Sequence, residues 1–194
     1  MSDIISHKQT RYDAMPVLDY PEVLEVPKPT QDLEIAKEQL SEFGMTVVTD
    51  VLTLNEVEIL SEKLDRQAEA ERNLGDLSPV DESLPLQSLS NLVNKGRHFL
   101  DLVERAETEE LAGFMLGPNF LLSSLTGSLF RRPSLEPQPL HRDQGQVPAT
   151  ADFPAACNVF YLLDDFTAAR GGTHVVPGSH RWSEKYRVTP PPRE

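Results

Sequence analysis

A single cysteine, Cys157, stands in 194 residues, which excludes an intrachain disulfide and fits a reducing compartment. Basic residues are also scarce: 18 Lys and Arg face 31 Asp and Glu, a net charge of −13. A surface of that sign repels phosphate backbones and anionic lipid headgroups, so neither nucleic acid nor a membrane surface is expected as a partner. No apolar run approaches the roughly 20 residues of a membrane span. The start, Met1 to His7, lacks the basic-then-apolar order of a secretory signal, and the last residues spell no receptor-read address, so the expected location is cytoplasmic. Missing too are a Gly-x-Ser-x-Gly elbow and a phosphate-cradling glycine loop, which leaves nucleophilic-serine and nucleotide chemistry without a motif.

What is present suits one soluble domain long enough to bury a core, with 39% hydrophobic and 25% charged residues. Residues 1–29 hold Pro16, Pro21, Pro27 and Pro29 and no sustained period, and read as a Pro-rich N-terminal arm. The domain proper spans 30–194. Leu33, Ala36, Leu40 and Phe43 recur at helical spacing and Gly44 supplies a stop. The β-branched stretch 45–49 reads as a strand. Thr53 and Glu56 have the spacing of a capping box, and the helix after them places Leu54, Val57, Leu60, Leu64 and Ala68 on one face. A Leu/Ser/Pro loop covers 73–90, and two shorter helices follow at 97–104 and 108–116. Beyond Pro118 the period changes: 120–131, 141–144, 156–163 and 173–176 read as strands separated by Pro- and Gly-marked turns. Helices first and strands after predict a mainly β, α+β fold with a helical layer on one side.

The chemistry is concentrated in His141-Arg142-Asp143. In an extended strand residues i and i+2 point the same way, so an imidazole nitrogen and a carboxylate oxygen can meet at one point. They make two-thirds of a two-His-one-carboxylate facial triad, the arrangement that binds non-haem Fe(II) and leaves positions open. Pro137, Pro139 and Gly145 restrict the backbone around them. Gly171-Gly172 and Pro177-Gly178-Ser179-His180 read as turns, and His174 and His180 are candidates for the second histidine. Cys157 and Trp182 read as packing residues.

Three stretches together resemble the phytanoyl-CoA dioxygenase family of Fe(II)- and 2-oxoglutarate-dependent oxygenases. They are Leu40–Val48 with Val51–Val57, then Gln138-Pro139-Leu140-His141-Arg142-Asp143-Gln144-Gly145, then Asn158–Thr167 running into Gly172–His180. The resemblance implies a double-stranded β-helix, or jelly roll, with flanking helices. It implies His141 and Asp143 as iron ligands, Gln138 and Thr173 as contacts to the 2-oxoglutarate cosubstrate, and a dioxygenase that hydroxylates a small organic substrate.

In that family the third ligand is a later histidine, followed by an arginine that pairs with the distal carboxylate of 2-oxoglutarate through two parallel hydrogen bonds. Only fourteen residues follow His180 here, and none is a histidine. The expectation is therefore a C-terminally incomplete jelly roll whose open edge is covered by a dimer or by a second chain. The alternative function is a catalytically silent relative acting at most as a binding or interaction module. A third reading is a cupin-like metal-binding domain that draws its extra ligand from His174 or His180.

Overall fold

The structure, a computed structural model, describes residues 25–74, 85–131, 141, 143, 153–167 and 170–181. Helix α1, Leu33–Phe43, starts where the Asp32 carboxylate accepts the amides of Glu34 and Ile35, at 2.8 and 3.3 Å. Such a cap satisfies amide groups that have no partner inside the helix. The helix ends at Gly44, whose φ of 72° lies in the left-handed region that glycine enters without a Cβ clash. Gln39, buried on α1, ties both flanks to the helix: its Nε2 donates to the Lys28 carbonyl at 2.8 Å and its Oε1 accepts the Thr46 hydroxyl at 2.6 Å. The expected strand at 45–49 is reduced to one parallel bridge between Thr30 and Val48.

Helix α2, Leu54–Asn73, opens with the expected capping box. The Thr53 amide donates to Glu56 Oε2 at 2.7 Å and the Glu56 amide to Thr53 Oγ1 at 3.2 Å. The Thr53 amide, the Thr53 hydroxyl 2.8 Å from the same Oε2, and the Arg105 guanidinium 2.9 Å from Oε1 hold the Glu56 carboxyl down at about 2. The predicted apolar face needs one correction. Leu54 is 89% exposed: it is the first residue of the helix, and at 3.6 residues per turn it lies about 75° off the mean direction of the Val57–Leu60–Leu64–Ala68 stripe.

Strand β1, Leu86–Leu89, falls inside the stretch read as a loop, and pairs antiparallel with β2, Gly127–Phe130, in the register Leu86 to Phe130 and Leu89 to Gly127. Helices α3, Arg97–Val103, and α4, Ala106–Leu116, stand within a residue or two of their predicted bounds. One core unites these elements: Leu60 and Ala68 of α2, Leu89 of β1, Leu92, and Phe99 and Leu102 of α3. Leu64, Leu129, Tyr161 and Leu163 pack against it. The face of the sheet toward α2 is closely packed. A Cβ at Gly127 would lie 2.7 Å from Leu64 Cδ2, so the glycine is what lets the helix approach the strand.

Among the described residues the architecture is α+β, but four helices outweigh a single two-stranded sheet, so the mainly β balance is not met there. The expected strand 120–131 narrows to four residues because β1 is no longer than that, and 156–163 and 173–176 carry no ladder bonds. No helix of the described residues is long and apolar enough to cross a membrane.

Candidate metal centre

His141 Nε2 and Asp143 Oδ1 lie 3.1 Å apart, with side chains 54% and 58% exposed. Two donors bound at right angles to one ion, each about 2.1 Å from it, are about 3.0 Å from each other. The pair therefore already has the bite of two adjacent corners of an octahedron. A neutral imidazole nitrogen and a carboxylate oxygen are also the donor types that suit iron in non-haem oxygenases.

The other oxygen of the carboxylate is engaged. Asn158 Nδ2 donates to Asp143 Oδ2 at 2.6 Å, which fixes the carboxylate plane and leaves Oδ1 on the His141 side. Outer partners of this kind orient metal ligands and tune their basicity. Asn158 is itself placed by the helical core. Cys157, Tyr161 and Leu163 are partly buried while Asn158, Phe160 and Leu162 are exposed, an alternation of period two broken at Val159. Tyr161 anchors the inner side: its hydroxyl donates to the Leu102 carbonyl at 2.8 Å and meets the Thr108 hydroxyl. One face of the segment thus grips α3 and α4, and the opposite face presents Asn158 to the pair.

The remaining predicted residues fall differently. Thr173 is exposed, just past the turn closed by the Arg170–Asp164 ion pair at 2.6 Å. Arg170 and Gly172 both donate their amides to the Thr167 carbonyl at 2.9 Å, which bears out the turn. Gln138 lies outside the described residues. His174 is exposed. Burial pushes the Cys157 thiol above its ordinary value, which disfavours the thiolate a ligand or nucleophile requires. Among the described residues no group of three His, Cys, Asp or Glu side chains converges to hold a metal.

His180 is committed elsewhere, which corrects its reading as an inward-turning extra ligand. The Gly178 amide donates to the Phe43 carbonyl at 2.7 Å, His180 Nε2 is 3.4 Å from the Ser41 carbonyl oxygen, and Arg181 donates to that same oxygen. The Pro-Gly-Ser-His turn is a cap for the C-terminus of α1, whose last carbonyls have no partner inside the helix and attract cations. A Cβ at Gly44 would stand 2.4 Å from His180 Nδ1. Gly44→Ala is accordingly expected to cost about 2 kcal/mol, from the left-handed backbone and the displaced ring together; a denaturant melt reads it directly.

Desolvation against α1 lowers the His180 pKa, the Ser41 carbonyl opposes that shift and Arg181 adds to it. The folded chain then binds fewer protons at His180 than the unfolded chain does. Its stability contribution is complete above the ordinary value of 6.5 and declines as pH falls below it. Unfolding midpoints measured between pH 7.5 and pH 5.5 should drop on the acid side, and drop less in His180→Asn.

Sequence comparison now meets this geometry. The family model for phytanoyl-CoA dioxygenase (PhyH) matches residues 40–194, a span that holds the His141–Asp143 pair, Asn158 and the α1 cap. The chain belongs to the phytanoyl-CoA dioxygenase family. Fe(II) and 2-oxoglutarate are the metal and cosubstrate of this family of oxygenases. Similar proteins include Dioxygenase af480 of Aspergillus fumigatus, 28% identical over 180 residues that cover 87% of this chain and 58% of that one. Dioxygenase FUM3 of Gibberella moniliformis is 32% identical over 34% of this chain and 24% of its own length. The iron/alpha-ketoglutarate-dependent dioxygenase penM of Penicillium thymicola is 36% identical over 27% of this chain and 19% of its own. The chain thus aligns with little more than half the length of the first of these relatives. No solved structure matches it.

Proposed function

We propose that this chain contributes to an Fe(II)/2-oxoglutarate-dependent dioxygenase that hydroxylates a small organic substrate, with His141 and Asp143 as two of its iron ligands. The observation that carries the reading is the 3.1 Å separation of His141 Nε2 and Asp143 Oδ1, the spacing of adjacent ligands on one ion. The family match and a relative named for iron and alpha-ketoglutarate supply the chemical class. In the same reading the later segments belong to a jelly roll, and Gln138 and Thr173 contact 2-oxoglutarate.

When bound, Fe(II) supplies the redox chemistry that couples oxidation of 2-oxoglutarate by dioxygen to hydroxylation of a substrate C–H bond. The chain's own residues do the rest. His141 offers a neutral nitrogen and Asp143 a charge-neutralising oxygen. Asn158, by donating to Oδ2 at 2.6 Å, would leave Oδ1 as the carboxylate oxygen available to the metal. Phe160 and Leu162 are exposed on the same face of the segment as Asn158.

Asn158→Ala is expected to weaken Fe(II) binding by about 10- to 100-fold, the usual cost of losing an outer partner, with the fold intact because Asn158 is exposed. Activity is tested by succinate release from 2-oxoglutarate under air. Succinate that depends on Fe(II) and disappears in His141→Ala supports the proposal. An iron-loaded, folded protein that releases none, with or without candidate substrates, turns the reading toward the silent binding module.

A further inference from the structure

A second polar site has neither His141 nor Asp143 in its lining. Between α2 and β2 runs a cavity of about 440 Å³ lined by Asp65, Arg66, Glu69, Arg72, Phe130 and Arg131. Two of these lining residues, Arg72 and Arg131, meet Gln87, a polar side chain only 3% exposed. Gln87 Nε2 donates to the Ala68 carbonyl at 3.1 Å, which fixes the amide and turns Oε1 the other way. Onto that single oxygen two guanidinium groups converge: Arg72 donates from Nη1 at 2.9 Å, and Arg131 donates from Nη2.

Two cations sharing one neutral acceptor is an unusual economy. An amide oxygen has two lone pairs and no charge, while each guanidinium carries five N–H donors and a full positive charge. Gln87 therefore uses one donor from each arginine, orients both and neutralises neither. Asp65 and Glu69 line the same space, but no ion pair joins either to Arg66, Arg72 or Arg131 among the described residues. In a chain of net charge −13 with carboxylates in excess, arginines with no carboxylate partner among the described residues stand out. Paired guanidinium forks match the oxygens of a phosphate or carboxylate.

We infer that the Arg72–Arg131–Gln87 cavity binds a small oxyanion, a phosphate or carboxylate group, free or borne on a larger molecule. The volume lies within the range of small-molecule sites. Phe130 shares the lining, and its ring is 3.4 Å from where a Cβ at Gly171 would be, so an organic body attached to the anion would run along Phe130 toward the turn that carries Thr173. The site does not depend on the iron reading.

The test is a titration of the intact chain with inorganic phosphate, with sodium chloride at matched ionic strength as the reference and melting temperature and calorimetric heat as readouts. A citrate arm asks whether carboxylates serve as well as phosphate. Saturable stabilisation by either anion is expected, weakened at least about tenfold in Arg131→Gln and in Arg72→Gln and unchanged in Arg97→Gln, a surface arginine paired with Asp101 and Glu104. Should a Gln variant fail to fold, Arg131→Lys keeps the charge, loses the fork, and should still bind more weakly. A response that chloride reproduces, or that survives unchanged in every folded Arg72 and Arg131 variant, overturns the inference.

Discussion

Alanine at His141 or at Asp143 is expected to lower the affinity for Fe(II) by at least about 100-fold, beyond the loss at Asn158. The ranking follows from what each side chain touches. His141 and Asp143 would each lose a bond to the ion, whereas Asn158→Ala removes only the hand that steadies Asp143. The two ligand substitutions should leave the fold unharmed, since both side chains are more than half exposed and such surface changes usually fall within about 0.5 kcal/mol. Anaerobic calorimetry with Fe(II), alongside circular dichroism of each variant, separates lost binding from lost structure. Retained affinity in both single variants would remove these residues from the site.

Leu89→Ala should be the most destabilising conservative truncation in the described core, costing about 3 kcal/mol. Leu89 is 0% exposed and faces Gly127 across the sheet, with Leu64 and Leu92 closing the same space. A glycine opposite has no side chain with which to fill the void, so the cavity would persist. The expected readout is a lower denaturant midpoint with an unchanged slope. Leu54→Ala, on a residue 89% exposed, is the matched control and should cost under about 0.5 kcal/mol. The effect should also reach the metal pair, because Tyr161 and Leu163 pack on the core that holds Leu89 and position Asn158.

The helical half of this architecture was legible because its signals are local. Gly44 and the Thr53–Glu56 box act within four residues of the helix ends they define and are read from the sequence, whereas the Asp32 cap comes from the structure. β1 escaped because Leu86-Gln87-Ser88-Leu89 has no β-branched or aromatic residue to announce a strand; its pairing with Gly127–Phe130 is what makes it one. Leu54 was misassigned because it sits at the margin of its helical stripe.

The site divides in the same way. The i, i+2 spacing of His141 and Asp143 is a local fact; the two side chains meet at 3.1 Å, with Asp143 in a turn and not in the expected strand. Asn158 reaches Asp143 across fifteen residues, and no rule of composition links them. His180 looked like a ligand because histidine beside a turn is ambiguous in one dimension. Its ring lies against the end of α1, with Nε2 3.4 Å from the carbonyl oxygen of Ser41, 139 residues earlier.

The most direct measurement is an anaerobic titration of the purified chain with Fe(II) and then 2-oxoglutarate, following the visible charge-transfer absorption of 2-oxoglutarate chelated to Fe(II). A band that saturates with the wild-type chain and is absent from folded His141→Ala and Asp143→Ala is the predicted result. A folded wild-type chain that gives no band, or a band that persists in both variants, would contradict an iron site built on this pair.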